Sequence, residues 1–580
     1  MQLRRVLRSA RGRLVEDRVV ARITLAFCLF AFVASLWDLP SSFGWENDGI
    51  APRDLFGGLS NNLKPGAAHR YPLLHYLWVG LGSLPALLVA VLSDSDFSAS
   101  AIQERVLSVP CMTAVSLVAK LISIAMSALT LSTAARIARR THSELAGRLA
   151  ALSLAVMASF SYYARTSNLD GPYLFWSFLA LDRLLDCGES PTRRNYLLFG
   201  ALVAAAVATK DQAYAGFVLT APGYLAFFAL RARASERRVR ALGLGWAALG
   251  AVLGYGVLSG ALVNPTGFLA RVALLRGPNR EDYRQYEPTL AGRAANLEDL
   301  WHAHGAHAWS TPLLALALLG VVTAVVRSLR ARTNVGLALL PLVYGVSHLV
   351  FFALVVGRAQ HRFMLPTYAA LSIYAGSGAA RLLTLRAPRG VRSALSYALA
   401  ALFAWNGLRV AALAAVGFLD ARQRVEALLE DEAPGTRVET YGLTVYQPRF
   451  DRLSGPIVTR VDPLSSPHRR NPIHGVTELQ APYGMALKRA PDVVVVADYF
   501  AERFVGRPPA REGRMTSRER ARAQADSDAR EYFARIFDGH LPGYRMREVG
   551  PLVPAWLELL VPYRVHGSVG GTYRYLERAR

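Results

Sequence analysis

The 24 residues from Met112 to Ala135, MTAVSLVAKLISIAMSALTLSTAA, run directly into Arg136, Arg139 and Arg140 of RIARR. A helix needs about 20 mostly apolar residues to cross about 30 Å of hydrocarbon, and short loops rich in Lys and Arg stay cytoplasmic. The stretch therefore reads as a membrane span with its C-terminal end inside. Similar apolar runs occur near 20–38, 146–163, 171–186, 195–209, 213–230, 241–263, 311–329, 335–356, 363–385 and 393–418. Arginine clusters punctuate them: Arg4, Arg5, Arg8, Arg11 and Arg13 at the N-terminus, Arg193/Arg194, Arg231/Arg233/Arg237/Arg238/Arg240, Arg327/Arg330/Arg332 and Arg386/Arg389/Arg392.

A further apolar stretch, 72–92, contains Pro72 and Pro85, which are expected to interrupt it. All the arginine clusters face one side only if 72–92 lies in the interface without crossing. The resulting expectation is about eleven crossings plus a juxtamembrane helix, with the N-terminus cytoplasmic. The loops 39–111 and 264–310 and the tail after 419 are then extracytoplasmic. The first run lacks a small-x-small cleavage site and reads as an uncleaved helix.

This placement resolves an apparent conflict in composition. The chain of 580 residues is 52% hydrophobic and only 19% charged, yet 66 Lys+Arg against 42 Asp+Glu give a net charge of +24. The basic residues are spread over short loops between spans, where they orient the chain towards anionic headgroups, and they form no nucleic-acid groove. Three cysteines, Cys28, Cys111 and Cys187, exclude a disulfide-stapled scaffold. No P-loop, dinucleotide glycine motif, nucleophile elbow or CxxC pair is present.

After residue 419 the pattern changes. RVETYGLTVY (437–446) and PDVVVVADY (491–499) read as short strands, and 516–537 as a charged amphipathic helix. The fold class expected is mainly α: a polytopic transmembrane helix bundle over 1–419, with a C-terminal extracytoplasmic α/β domain over 420–580. About 160 residues suffice for such a domain to bury its own core.

Ionisable groups at membrane depth are costly, about 2.5–3.5 kcal/mol each on insertion scales, so those that persist are candidates for function. Directly after the first run comes WENDGIAPRD (45–54), with Glu46, Asp48 and Asp54 in one loop. Such carboxylates can supply a general base, although an ordinary acidic surface turn has the same composition. Between two later runs lies YYARTSNLDGP (162–172), where Arg165 and Asp170 share a turn. Arg165 can clamp a phosphate, or simply pair with Asp170 to cap the helix junction. Lys210 in TKDQ and His361-Arg362 before Phe363-Met364-Leu365-Pro366 bring further cations to the same rim. Helix-anchoring side chains that snorkel are the competing explanation for each singly.

His69 opens HRYPLLH (69–75), whose aromatic, Pro and cationic mixture suits headgroup depth and the entrance for a lipid substrate. His302, His304 and His307 in WHAHGAHAW have metal-like spacing but no carboxylate or Cys partner in register. No metal site and no cofactor is assigned; a divalent metal lacks support.

Taken together, these motifs resemble those of GT-C type integral-membrane glycosyltransferases, the group that includes protein O-mannosyltransferases and lipid A aminoarabinose transferases. The resemblance covers roughly residues 15–420 and rests on order and spacing. It is carried by the acidic Glu46/Asp48 loop, the Pro-containing stretch His69–Leu92, the Arg165-x4-Asp170 turn, the Thr209-Lys210 pair, and Arg362, Phe363, Leu365 and Pro366. One departure is that the family often has Asp-Glu adjacent, whereas here Asn47 separates Glu46 from Asp48.

The resemblance implies a donor sugar linked to a polyprenyl phosphate, no nucleotide, and a lipid, glycan or protein acceptor outside a bacterial inner membrane. In that scheme Asp48, with Glu46 as the alternative, deprotonates the acceptor, and the sugar is transferred with inversion. Arg165, Lys210 and Arg362 stabilise the departing phosphate, with His69, Asp170 and His361 also at the donor site. A transporter or flippase of lipid-linked sugars is the main rival, but no internal repeat is visible and the polar groups gather at one face. A silent scaffold with a partner-binding tail is the third reading.

Overall fold

The computed structural model describes residues 17–46, 48–67, 71–232, 234–276, 284–331, 335–463, 473–505, 527–561 and 571–579. Every apolar run read from the sequence coincides with helix. The first half holds α1 (Arg18–Ala34), α2 (Asp54–Leu63), α3 (Leu73–Leu92), α4 (Ala99–Val106), α5 (Val109–Thr141), α6 (Glu144–Ala155), α7 (Ala158–Ala164), α8 (Asp170–Glu189) and α9 (Arg193–Val207). Then follow α10 (Thr220–Leu230), α11 (Ala234–Leu258), α12 (Pro265–Arg276), α13 (Leu290–His302), α14 (Thr311–Ala331), α15 (Val335–His348), α16 (Leu365–Leu383), α17 (Arg389–Phe418) and α18 (Ala421–Glu430).

Among the described residues six helices are long and apolar enough to cross a membrane, or up to seven if α6 and α7, bent by 71° at their junction, form one span. Others, such as α9 with 15 residues, are shorter than the hydrocarbon is thick. Small residues let the long helices approach closely. A Cβ on Gly376 of α16 would meet the backbone of Ala146 and Ala150 in α6, and one on Gly200 of α9 would meet Ala247 in α11. Glycine at these crossings replaces side-chain volume with backbone contact, as in membrane bundles generally.

One end of the bundle collects arginines. Arg136 and Arg140 of α5 pair with Asp182 of α8, Arg140 also reaches Asp186 and Glu189, and Arg240 of α11 donates to the Gly188 carbonyl. Asp17, just before α1, pairs with Arg148 of α6 at 2.7 Å. The polar loops after α1, α7 and α9 lie at the opposite end. The Arg4–Arg13 cluster, Arg233 and Arg332 lie outside the described residues.

The expectation that prolines interrupt 72–92 does not hold. Pro72 sits at the N-cap, where no helical N–H is needed, and Pro85 is accommodated inside one continuous 20-residue helix. That helix is long and apolar enough to be counted among the six. Its two ends nevertheless meet the same end of the bundle. Leu74 packs on Ala205 and Ala208 beside Lys210, while the Val91 carbonyl accepts from Arg105 of α4, which leads directly into α5. Thr113 in the first turn of α5 accepts from the Ser41 amide. The connecting helix α4 is only 8 residues long, or about 12 Å at 1.5 Å per residue.

Beyond α18 the chain builds a six-stranded sheet: β1 (Arg437–Tyr441), β2 (Ile457–Val461), β3 (Val476–Leu479), β4 (Val493–Ala497), β5 (Tyr544–Val549) and β6 (Tyr573–Arg578), in the order β3-β2-β1-β4-β6-β5. The first four are mutually parallel; β6 and β5 are antiparallel additions. Strand β4, VVVVA, is buried on both faces, as a central parallel strand must be. Tyr441, Tyr483, Phe500, Phe504 and Phe533 pack beneath the sheet, with Phe533 supplied by the helix Ser527–Phe537. The N-terminal part of the expected 516–537 helix lies outside the described residues.

Candidate active site

Two loops that are far apart in sequence are laced together at the end opposite the arginines. Ser167, in the turn between α7 and α8, donates its amide (2.5 Å) and hydroxyl (2.6 Å) to Oε2 of Glu46. In return, the Ile50 amide donates to the Ser167 carbonyl. A Cβ on Gly49 would lie 2.6 Å from Ser167 Oγ and 3.1 Å from Glu46 Oε2, so this contact needs glycine at 49. Asp48 beside it takes a left-handed backbone, φ 56°, which Asp tolerates better than most residues.

The carboxylate of Asp48 meets Arg362 Nη1 at 2.6 Å. Arg362 sits in the 3-10 turn His361–Met364 that leads into α16, and Gln360 orients its Nε at 3.0 Å. Asp170, at the start of α8, accepts from Lys210 Nζ at 2.7 Å, and Gln212 bridges Asp170 to the Tyr173 hydroxyl. The two ion pairs are electrostatic neighbours: Lys210 feels both Arg362 and Asp48, and Arg362 feels Asp170. Burial holds Lys210 below its ordinary value despite Asp170. For Arg362 burial also acts against the charge, but Asp48 and Asp170 outweigh it and hold the guanidinium well above its ordinary value.

Arg165 takes a different position. It does not pair with Asp170, so the helix-junction ion pair is not formed; Lys210 fills that role because it reaches Asp170 from the end of α9. Arg165 is buried over the Tyr162 ring, 5.6 Å from its centroid. Its Nε and Nη1 have no hydrogen-bond partner among the described residues, and neither does Oδ2 of Asp170. Burial pulls Arg165 down to about 10, against the attraction of Tyr162, Asp38 and Glu46.

Glu46 sits deeper. Lys120, in the middle of α5, is fully buried and joins Asp38 (2.5 Å) to Glu46 (3.2 Å) while donating to the Ser35 carbonyl. Burial raises the Glu46 carboxyl above its ordinary value; Lys120 opposes that shift and Asp38 adds to it. Glu46 is thus engaged on both oxygens, whereas Asp48 lies at the rim.

Lys120, Asp38 and Ser167 were not singled out from sequence. A lone Lys inside an apolar run was the available signal; for Asp38 and Ser167 none distinguishes them from ordinary loop residues. His361 opens the Arg362 turn, and His69 lies outside the described residues. The WHAHGAHAW histidines diverge: His302 faces Glu298 and the His304 ring faces the Trp301 carbonyl. No group of three or more His, Cys, Asp or Glu side chains among the described residues is arranged to hold a metal ion.

With this geometry in view, the chain can be set beside known proteins. Residues 107–255 match the family described as dolichyl-phosphate-mannose-protein mannosyltransferase. The chain resembles a glycosyltransferase family. The mannosyltransferase match spans α5 to α11, contains Lys120, Arg165, Asp170 and Lys210, and bears out the GT-C resemblance read from the motifs. Together with the six apolar helices it supports an integral membrane protein that is a glycosyltransferase. No curated protein sequence matches the chain.

Among solved structures, ArnT from Cupriavidus metallidurans bound to undecaprenyl phosphate aligns at 14% identity over 82% of this chain and 94% of its own, with a TM-score of 0.42. The oligosaccharyltransferase AglB from Archaeoglobus fulgidus, in complex with an inhibitory peptide and a dolichol-phosphate, aligns at 12% identity over 96% and 88%, with a TM-score of 0.43. The S. cerevisiae protein O-mannosyltransferase complex bound to its sugar donor aligns at 16% identity over 48% and 37%, with a TM-score of 0.26. These superpositions are loose, and the family match carries the comparison.

Proposed function

We propose that this protein transfers a sugar from a polyprenyl-phosphate-linked donor to a lipid, glycan or protein acceptor on the extracytoplasmic side of the membrane, with inversion. The observation that carries the reading is the meeting of the Asp48–Arg362 and Asp170–Lys210 ion pairs, with Arg165, whose Nε and Nη1 lack hydrogen-bond partners among the described residues, in the turn that leads to Asp170. Lys210 and Arg362, from two separate segments, are neighbours there, where a departing phosphate gains charge in the transition state. The description of the matching family, which names a dolichyl-phosphate-mannose donor, supports the same reaction class.

Asp48 is the base in this scheme, and Glu46 is a positioning group. The acceptor O–H proton passes to the Asp48 carboxylate as the oxygen attacks the anomeric carbon. The bond from that carbon to the lipid phosphate breaks, and the electron pair leaves with the phosphate. In the unliganded arrangement Arg362 neutralises Asp48. A bound lipid phosphate competes for Arg362 and Lys210, which frees Asp48 to accept a proton only when the donor is in place. Arg165 completes the phosphate site, and the helix that His69 precedes borders the lipid entrance.

The arginine-rich end is cytoplasmic in this proposal, with the N-terminus inside, 72–92 along the outer surface, about eleven crossings and the sheet domain outside. No cofactor is assigned in this proposal, and the rate measured with and without a chelator decides whether a divalent metal takes part. The test is a reconstitution of the purified protein in lipid with a polyprenyl-phosphate sugar. Release of polyprenyl phosphate with formation of an inverted glycosidic bond is expected. Donor translocation without bond formation would replace this reading with that of a flippase.

A further inference from the structure

The segment after the last long helix does more than follow it. Trp45, three residues before Asp48, is fully buried. Two guanidinium groups lie against its indole, Arg422 of α18 at 4.1 Å and Arg449 at 4.8 Å from the ring centroid. Its Nε1 donates to the Gln447 carbonyl at 2.9 Å. Nearby, the Ser42 amide donates to Asp451 Oδ2 at 2.5 Å and Arg449 donates to the Leu39 carbonyl at 3.0 Å. Both arginines are themselves fixed, Arg422 by Asp420 and Arg449 by Glu426, so the grip is rigid on the tail's side.

The sheet topology explains why these residues are available. The strand order reverses between β1 and β4, and in parallel α/β sheets the loops leaving the strands at such a reversal are the ones that bind. Gln447, Arg449 and Asp451 lie in the loop leaving β1. Here that loop holds the protein's own first loop. From Trp45 the polar chain continues inward: the Trp45 amide donates to Asp38, Asp38 pairs with Lys120, Lys120 with Glu46, and Glu46 with Ser167. The path from the tail to the Arg165–Asp170 turn is unbroken.

We propose that Trp45 is a positioning residue through which segment 420–451 fixes the loop carrying Asp48, so that the tail sets the geometry of the reacting carboxylate. For the rate, this rests on the transfer reaction proposed above; for the loop's order, it does not.

The test compares full-length parent, Trp45→Leu and Trp45→Phe in lipid. Amide exchange at Trp45 and Ile50 is expected to be about tenfold faster in Trp45→Leu, while β4 keeps the parent rate. With the loop misplaced, kcat is expected to fall on the order of 100-fold, with little change in affinity for polyprenyl phosphate. Trp45→Phe keeps a ring against the arginines and loses only the Nε1 bond, so it recovers most of the rate; if Trp45→Leu does not fold, Asp451→Ala, which removes the acceptor of the Ser42 amide, is expected to speed exchange at Ser42 and lower kcat, and parent values for both overturn the proposal. Unchanged exchange at 44–51, or a loosened loop with an unchanged kcat, overturns the proposal. If the parent transfers no sugar from any such donor, the reaction reading fails, and the exchange data alone decide the clamp.

Discussion

Asp48 and Arg362, separated by most of the helix bundle in sequence, meet at 2.6 Å. The pair joins the candidate base to a candidate phosphate ligand before any substrate arrives. Asp48→Asn is expected to reduce sugar transfer about 100-fold or more, the usual loss on removing a general base. Arg362→Lys keeps the charge but loses the planar fork, and it is expected to raise KM for the donor and lower kcat. Steady-state assays in nanodiscs separate the two. An Asp48→Asn protein as fast as the parent would show that the base is another residue.

Arg165 is buried with unpartnered nitrogens, so an anion should relieve its desolvation. Polyprenyl phosphate without sugar is expected to raise the unfolding temperature of the parent, by about 2.7 kcal/mol of stabilisation at 100 times Kd. Arg165→Met is expected to lose most of that shift while gaining stability in the absence of ligand. Thermal unfolding with and without the lipid checks both. Lys210→Met, by contrast, leaves Asp170 unpaired and is expected to cost about 3 kcal/mol of transition-state stabilisation, close to 100-fold in rate.

Lys120 pairs with both Asp38 and Glu46 in a buried site. Lys120→Met therefore leaves uncompensated carboxylates, and a loss of about 3–5 kcal/mol in stability is expected. The pH dependence has a definite sign. Without Lys120, burial and Asp38 hold the Glu46 carboxyl above its unfolded value. The folded state then binds that proton more tightly than the unfolded one. Stability of the variant is greatest below the unfolded carboxyl range and is lost as pH rises through the folded value. Adding Glu46→Gln is expected to flatten this profile, which denaturation across pH would reveal.

Gly376 lets α16 rest directly on the backbone of α6. Gly376→Val forces the helices apart and is expected to cost about 1–3 kcal/mol. Because the contact lies away from Asp48 and Arg362, the surviving folded protein should keep the parent's KM. A changed KM at unchanged stability would place this crossing in the site after all.

The sequence determined the helices and the groups worth watching. Apolar runs between arginine clusters correspond to helices because lipid demands apolar length and internally satisfied backbone, and this information is local. The strand at 493–497 was legible for a related reason, since a strand covered on both faces is continuously apolar, whereas the stretch read at 437–446 is a strand only to Tyr441 and turns at Gly442. Glu46, Asp48, Arg165, Asp170, Lys210 and Arg362 stood out as charges beside apolar segments.

Their pairing was decided only by the tertiary structure. Asp170 pairs with Lys210 and not with Arg165, and Asp48 with Arg362, because contact across a bundle depends on helix crossing and rotation, which no spacing along the chain records. Pro85 gave a misleading local signal: neighbouring helices absorb a proline in a long apolar helix. Lys120 was visible as a letter but not as a partner of Asp38 and Glu46. The grip of Arg422 and Arg449 on Trp45 joins positions some 400 residues apart, and only the folded chain brings them within reach of one another.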